Sequence, residues 1–166
     1  MKTYQMSLEE SMNLIEIDRK TAEAEFIKGS NVYIKLSRNI WMMFSNSVDS
    51  CLEKFESGIK YFITKEYDED KLIVTRHKNI AQYFRSKGIN AKVIEYARPA
   101  DVMNKTLYGG NIPVHLMSFA KECYIMRVDG VMNTDFDEIP YDQFKNFNME
   151  IKRYEVHAEK VDMQEV

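Results

Sequence analysis

Hydrophobic and polar residues change rhythm along the chain. Near its start, Met6, Leu14 and Ile17 fall near helical spacing, and Ser7-Leu8-Glu9-Glu10 has the form of a helix cap followed by acid in the first turn. A helix of two or three turns is therefore expected between Ser7 and Ile27. After Gly29-Ser30, Val32, Ile34 and Leu36 alternate with Tyr33, Lys35 and Ser37, which is the period of a half-buried strand. Ile40 to Phe44 reads as a second strand and Ile59 to Ile63 as another, while residues 45–57 are polar and fit neither period. The cluster Glu66-Tyr67-Asp68-Glu69-Asp70 reads as an exposed linker, because adjacent acids repel and prefer solvent.

From Lys71 the pattern alternates between strand and helix. Leu72-Ile73-Val74-Thr75 is an apolar run suited to a fully buried strand, Asn79 to Lys87 a short helix closed by Gly88, and Ala91 to Tyr96 a second strand. Val114 to Lys121 reads as a helix with Pro113 at its start, and Cys123 to Val128 as a third strand. Tyr141 to Phe147 is expected to be a last helix and Ile151 to His157 a last strand. This alternation predicts an α/β fold with a mostly parallel sheet, preceded by a small α+β region. The expected division is 1–70 and 71–166.

Composition is consistent with a folded protein. Of 166 residues, 45% are hydrophobic and 12% aromatic, too apolar for a disordered chain. The longest apolar run, Ile40 to Phe44, is far short of the ~20 residues that cross a bilayer. The opening Met1-Lys2-Thr3-Tyr4-Gln5 lacks the apolar core of a secretory signal, so a cytoplasmic location is expected. Cys51 and Cys123 form neither a disulfide framework nor a zinc site, and both are expected to be buried, reduced thiols.

Charge alters the picture more. The net charge of −3 conceals three blocks: residues 1–70 hold 9 basic and 13 acidic groups, 71–98 hold 7 and 1, and 99–166 hold 7 and 12. The basic block contains Arg76 and His77, directly after the first strand of the alternating region. Side chains there stand at the carboxyl end of a parallel strand, the edge at which open α/β sheets bind ligands. Lys78, Arg85, Lys87, Lys92 and Arg98 complete the block, which would raise the local concentration of phosphate. The alternative for Arg85 and Lys87 is a solvated helix face. A second constellation is Gly109-Gly110-Asn111-Ile112-Pro113-Val114-His115-Leu116. Its glycines allow close approach of backbone to a ligand, and His115 is either an acid–base group or a structural hydrogen-bonding residue. His157 has a weaker claim. The sequence contains no HExxH and no GxxxxGK[ST], GxGxxG or GxSxG, which argues against zinc hydrolases, P-loop enzymes, dinucleotide enzymes and esterases. No metal or cofactor is expected.

The order Ile73-Val74-Thr75-Arg76-His77, then Gly110-Asn111-Ile112-Pro113-Val114-His115-Leu116, then Tyr124-Ile125-Met126-Arg127-Val128-Asp129 resembles the CRISPR-associated Csx-sixteen family across residues 71–157. The resemblance implies a Rossmann-like fold, usually dimeric, acting in a bacterial host cell as a ring nuclease on cyclic tetra-adenylate. By motif, Arg76, His77, Asn111, Pro113 and His115 would surround the ligand, with Thr75 in place of the family's usual Ser. The acid-rich stretch after Asp129 lacks the family's Arg-Gly pair. Residues 6–44 more faintly resemble phage anti-Thoeris sponge proteins of the second type, which bind cyclic ADP-ribose-like messengers without cleaving them. In this chain Ala24-Glu25-Phe26 stand where those proteins have a second basic cluster and Trp.

Together these readings lead to an expectation. The chain binds and cleaves a cyclic oligoadenylate by metal-independent transesterification, with Arg76, His77 and His115 catalytic and Thr75, Lys78, Gly109, Gly110, Asn111 and Pro113 binding the ligand. The alternatives are a non-catalytic cyclic-nucleotide sponge or an RNA- or protein-binding accessory protein. A homodimer is expected, while the acidic flanks disfavour long nucleic acids.

Overall fold

The computed structural model describes residues 2–46, 55–129 and 138–166. It divides into two compact units, residues 1–66 and 67–166. Cys51 and the acid-rich stretch after Asp129 lie outside the described residues, as does most of the ambiguous segment 45–57.

The first unit contains β1 (Lys2–Gln5), α1 (Leu8–Met12), β2 (Leu14–Ile17), α2 (Arg19–Ile27), β3 (Val32–Lys35), β4 (Ile40–Phe44) and β5 (Tyr61–Thr64). Its sheet is antiparallel, in the order β1-β4-β3-β5-β2. The single helix expected between Ser7 and Ile27 is instead helix, strand, helix. Ser7 does cap α1, accepting from the Glu10 N–H at 3.1 Å while the Glu10 carboxylate accepts from the Ser7 N–H at 2.7 Å. Asn13 then closes α1, Leu14 to Ile17 pair with Thr64 to Tyr61, and Asp18 caps α2 through the Thr21 N–H at 2.7 Å. Leu14 and Ile17, which look helical by spacing, are strand residues. One core forms where Ala22 and Phe26 of α2 pack on Val32, Phe44, Phe55 and Tyr61, with Phe26 and Phe44 ring centroids 5.4 and 5.1 Å from Phe55. A second cluster joins Met6, Leu14, Tyr33 and Trp41.

The second unit contains β6 (Lys71–Val74), α3 (Lys78–Ser86), β7 (Lys92–Ile94), α4 (Pro99–Val102), β8 (Thr106–Gly109), α5 (Val114–Met117), β9 (Glu122–Val128), α6 (Tyr141–Phe144) and β10 (Met149–Tyr154). The sheet order is β10-β9-β8-β6-β7; β6 to β9 run parallel to one another, and β10 is antiparallel to β9. Five corrections to the expected elements matter. Thr106–Gly109 is an additional strand, so the segment expected as third is the fourth. The helix expected over Val114 to Lys121 is a single turn, and that over Tyr141 to Phe147 is equally short. The strand expected from Ala91 to Tyr96 is only Lys92–Ile94. The last strand starts at Met149 and ends at Tyr154, leaving His157 beyond it.

Alternation along these strands sends side chains to opposite faces. Leu72, Val74, Leu107 and Cys123 pack with Val102 of α4 and Leu116 and Met117 of α5. On the other face Tyr108 stacks on Tyr124 with centroids 5.2 Å apart and meets Phe84 of α3 at 5.4 Å. Helices thus cover both faces of a mostly parallel sheet and leave its carboxyl edge for the loops.

Candidate functional site

The chain leaves β6, forms α3 and returns as β7 on one side, and then builds β8 on the other side of β6. Such a reversal of strand order opens a crevice at the carboxyl edge, because successive connections diverge to opposite faces. A cleft of about 820 Å³ lies there, within the ~300–1,000 Å³ common for small-molecule sites.

The turn after β6 builds one wall. Thr75 is buried, its N–H donating to the Ile94 carbonyl at 3.1 Å and its hydroxyl accepting from the His77 N–H at 3.0 Å. That short loop leaves Arg76 exposed on the cleft and puts His77 at the N-cap of α3, where its side chain makes no cap hydrogen bond. The α3 N-terminus beside it adds partial positive charge. Gly110, Asn111 and Pro113, between β8 and α5, form the facing wall. Gly109 and Gly110 have packing reasons to be glycine. A Cβ on Gly109 would overlap the Val74 carbonyl oxygen, and one on Gly110 would meet Ile80 Cδ1 at 3.0 Å.

Six of the residues expected at the site line this cleft: Thr75, Arg76, His77, Gly110, Asn111 and Pro113. Lys78, Gly109 and His115 do not. Lys78 is exposed at the first position of α3, Gly109 is buried within the sheet, and His115 is exposed on α5, its carbonyl accepting from the Ser118 hydroxyl at 2.8 Å. The basic block also fails to converge. Lys71 bonds Asp68 at 3.2 Å, which raises its pKa; Lys87 lies over the Tyr83 ring; Arg98 pairs with Asp101 at 3.4 Å; and Arg85 turns toward Tyr67 and the Ala91 carbonyl. Lys92 is exposed on the edge strand β7. From the whole block, Arg76 is the one Lys or Arg that lines the cleft, and it has no ion-pair partner among the described residues.

The remaining cations come from far along the chain. Register places Arg127 opposite Glu150 and Ile125 opposite Lys152, so all four line the same wall. Arg127 pairs with Asp129 at 3.7 Å and Lys152 with Glu150 at 3.3 Å. Glu95 adds a second cleft carboxylate. The alternation of Glu150, Lys152 and Tyr154 was the available signal for this wall, but locating it required the pairing of β10 with β9. The arrangement can hold an anion between Arg76 and Arg127, with one imidazole, His77, on the lining.

Among the described residues no group of three or more His, Cys, Asp or Glu side chains is placed to hold a metal ion, and no helix is long and apolar enough to cross a membrane. The chain matches no protein-family model, and no curated protein or solved structure gives a significant match.

Proposed function

We propose that the second unit is a Rossmann-like domain that binds a cyclic oligoadenylate, cyclic tetra-adenylate in the first instance, in the cleft at the carboxyl edge of its sheet and cleaves it. The observation carrying this reading is the meeting of Arg76 and His77 with Gly110, Asn111 and Pro113 across one cleft at the strand-order reversal. Two segments separated by over thirty residues, each pointing to phosphate by its own chemistry, share that lining.

The reaction is a transesterification. A ribose 2′-oxygen attacks the adjacent phosphorus in line, the bond from phosphorus to the 5′-oxygen breaks, and the products are a 2′,3′-cyclic phosphate and a 5′-hydroxyl. The proton lost from the 2′-hydroxyl is balanced by the proton gained at the 5′-oxygen. In this reading Arg76 stabilises charge developing on the phosphoryl oxygens, and His77 transfers a proton, a contribution of typically ~10²–10⁴-fold. Holding sugar and phosphate in line supplies the rest. A homodimer belongs to the same reading and is checked by light scattering.

The test is incubation of stoichiometric protein with labelled cyclic tetra-adenylate in EDTA. Linear product ending in a 2′,3′-cyclic phosphate supports the proposal, and its absence removes cleavage. A second reading, a sponge that binds the ring and releases it intact on heat denaturation, is favoured by the position of His115. With that residue outside the cleft lining, one histidine rather than two is available for proton transfer.

A further inference from the structure

Two exposed tyrosines on the cleft have no part in the reading above. Tyr96, 77% exposed, lies two residues beyond β7, and Tyr154, 42% exposed, ends β10. Of the chain's ten tyrosines, eight have an aromatic neighbour or a cation over the ring; the two that have neither among the described residues are these. Both line the same cleft. An aromatic ring kept in solvent beside cationic groups is what a nucleobase stacks on, because every base presents a π-face and stacking removes both apolar faces from water.

Their placement also bears on ligand size. β7 and β10 are the two edge strands of a five-stranded sheet, so four interstrand steps separate them, about 19 Å at ~4.8 Å per step. Arg76, after β6, and Arg127, on β9, stand on strands between them. The strand spacing therefore favours a ligand longer than one mononucleotide over a single nucleotide bridging both edges. We infer that Tyr96 and Tyr154 are base-stacking positions, and that the cleft takes a ligand with at least two nucleobases joined through phosphodiesters that lie against Arg76 and Arg127. This inference rests on the reading of the cleft as a cyclic-oligonucleotide site and specifies how it recognises its ligand.

The experiment is calorimetric titration of the full chain and its Tyr96→Leu, Tyr154→Leu, Tyr96→Phe and Tyr154→Phe variants. The probes are cyclic tetra-adenylate, cyclic di-adenylate and adenosine 5′-monophosphate. Each Leu variant is expected to weaken ring binding about tenfold or more, in keeping with the worth of one base–aromatic stack, while each Phe variant stays within about twofold of the parent. The monophosphate should bind far more weakly than the rings. Leu variants that bind cyclic tetra-adenylate like the parent overturn the inference and leave the reading standing, and a loss confined to one tyrosine overturns the two-base proposal. If the parent binds cyclic di-adenylate and not cyclic tetra-adenylate, with the same Leu and Phe pattern, the inference holds and the tetra-adenylate reading falls. Binding of none of the probes overturns both. Unchanged thermal midpoints of the variants exclude a folding defect, which substitution at these exposed sites should not cause.

Discussion

The guanidinium carbon of Arg85 lies 4.8 Å from the centroid of the Tyr67 ring, and its Nη2 donates to the Ala91 carbonyl at 3.1 Å. Burial lowers the Arg85 pKa and raises that of Tyr67. The contact fastens the first residue of the second unit to α3 and to the chain entering β7. Arg85 therefore belongs to the scaffold.

Replacing Arg85 with Ala removes the cation from the ring and a donor from a backbone carbonyl. The expected cost is about 1–3 kcal/mol, read from urea unfolding. On the proposed function, affinity for cyclic tetra-adenylate should stay unchanged at temperatures where the variant is folded.

Arg76→Ala should behave in the opposite way. The side chain is exposed and pairs with no described carboxylate, so stability should change by less than ~0.5 kcal/mol. On the proposed function, ring affinity should fall about 10- to 100-fold, the usual worth of a charge-assisted hydrogen bond to phosphate, and Arg76→Lys should restore only part of it. Calorimetry at two salt concentrations separates the charge from the fork-shaped geometry of the guanidinium.

Gly109 and Gly110 differ in what a methyl group would meet. At Gly109 the added Cβ overlaps the Val74 carbonyl oxygen, a backbone atom held in the β6–β8 ladder, so Gly109→Ala should destabilise by about 1–3 kcal/mol. At Gly110 the neighbour is the Ile80 Cδ1 methyl at 3.0 Å, the movable end of a side chain, and Gly110→Ala should cost clearly less. Parallel denaturation curves check the ordering.

Cys123 gives stability a dependence on alkaline pH. The residue is 1% exposed, and burial, with a smaller push from the Glu122 carboxylate, raises its thiol pKa from about 9 to about 11. Below pH ~9 the thiol is neutral in both folded and unfolded chains and makes no difference. Between pH ~9 and ~11 the unfolded chain gives up the proton while the folded chain keeps it. Stability then falls with rising pH at about 1.4 kcal/mol per unit and levels off above the folded pKa. Half-buried Tyr67 and buried Tyr108 shift upward as well, so the measurement compares the parent with Cys123→Ala at pH 7.5, 9 and 10. The gap between the two should narrow as pH rises.

The parts of the fold legible in the sequence were those whose signal is local. Leu72-Ile73-Val74 is apolar enough to read as a buried strand, and Gly88, at φ +87°, ends α3 within a residue of where the pattern stops. β8 was missed because Thr106-Leu107-Tyr108-Gly109 is short and runs into a glycine pair that reads as loop; its strand character comes from β6 and β9 on either side. The interruption of the first predicted helix was written in Asn13 and Asp18, both cap residues, but Leu14 to Ile17 become a strand only by pairing with β5. The site divided in the same way. Thr75, Arg76 and His77 were visible because they directly follow a readable strand, whereas Arg127 and Lys152 reach the cleft through a long-range ladder. The basic block misled in detail because proximity along the chain does not say which way a helix turns its arginine.

The β9–β10 ladder also constrains how the cleft can vary. Glu150, Lys152 and Tyr154 share one face of β10, and Ile151 and Arg153 share the other. Slipping β10 by one residue against β9 would withdraw all three from the cleft together and present Ile151 and Arg153 instead. A single-residue insertion or deletion within this strand would therefore rewrite the wall wholesale, whereas a two-residue change would preserve its facing pattern. Length variation in this part of the chain should be tolerated in even steps.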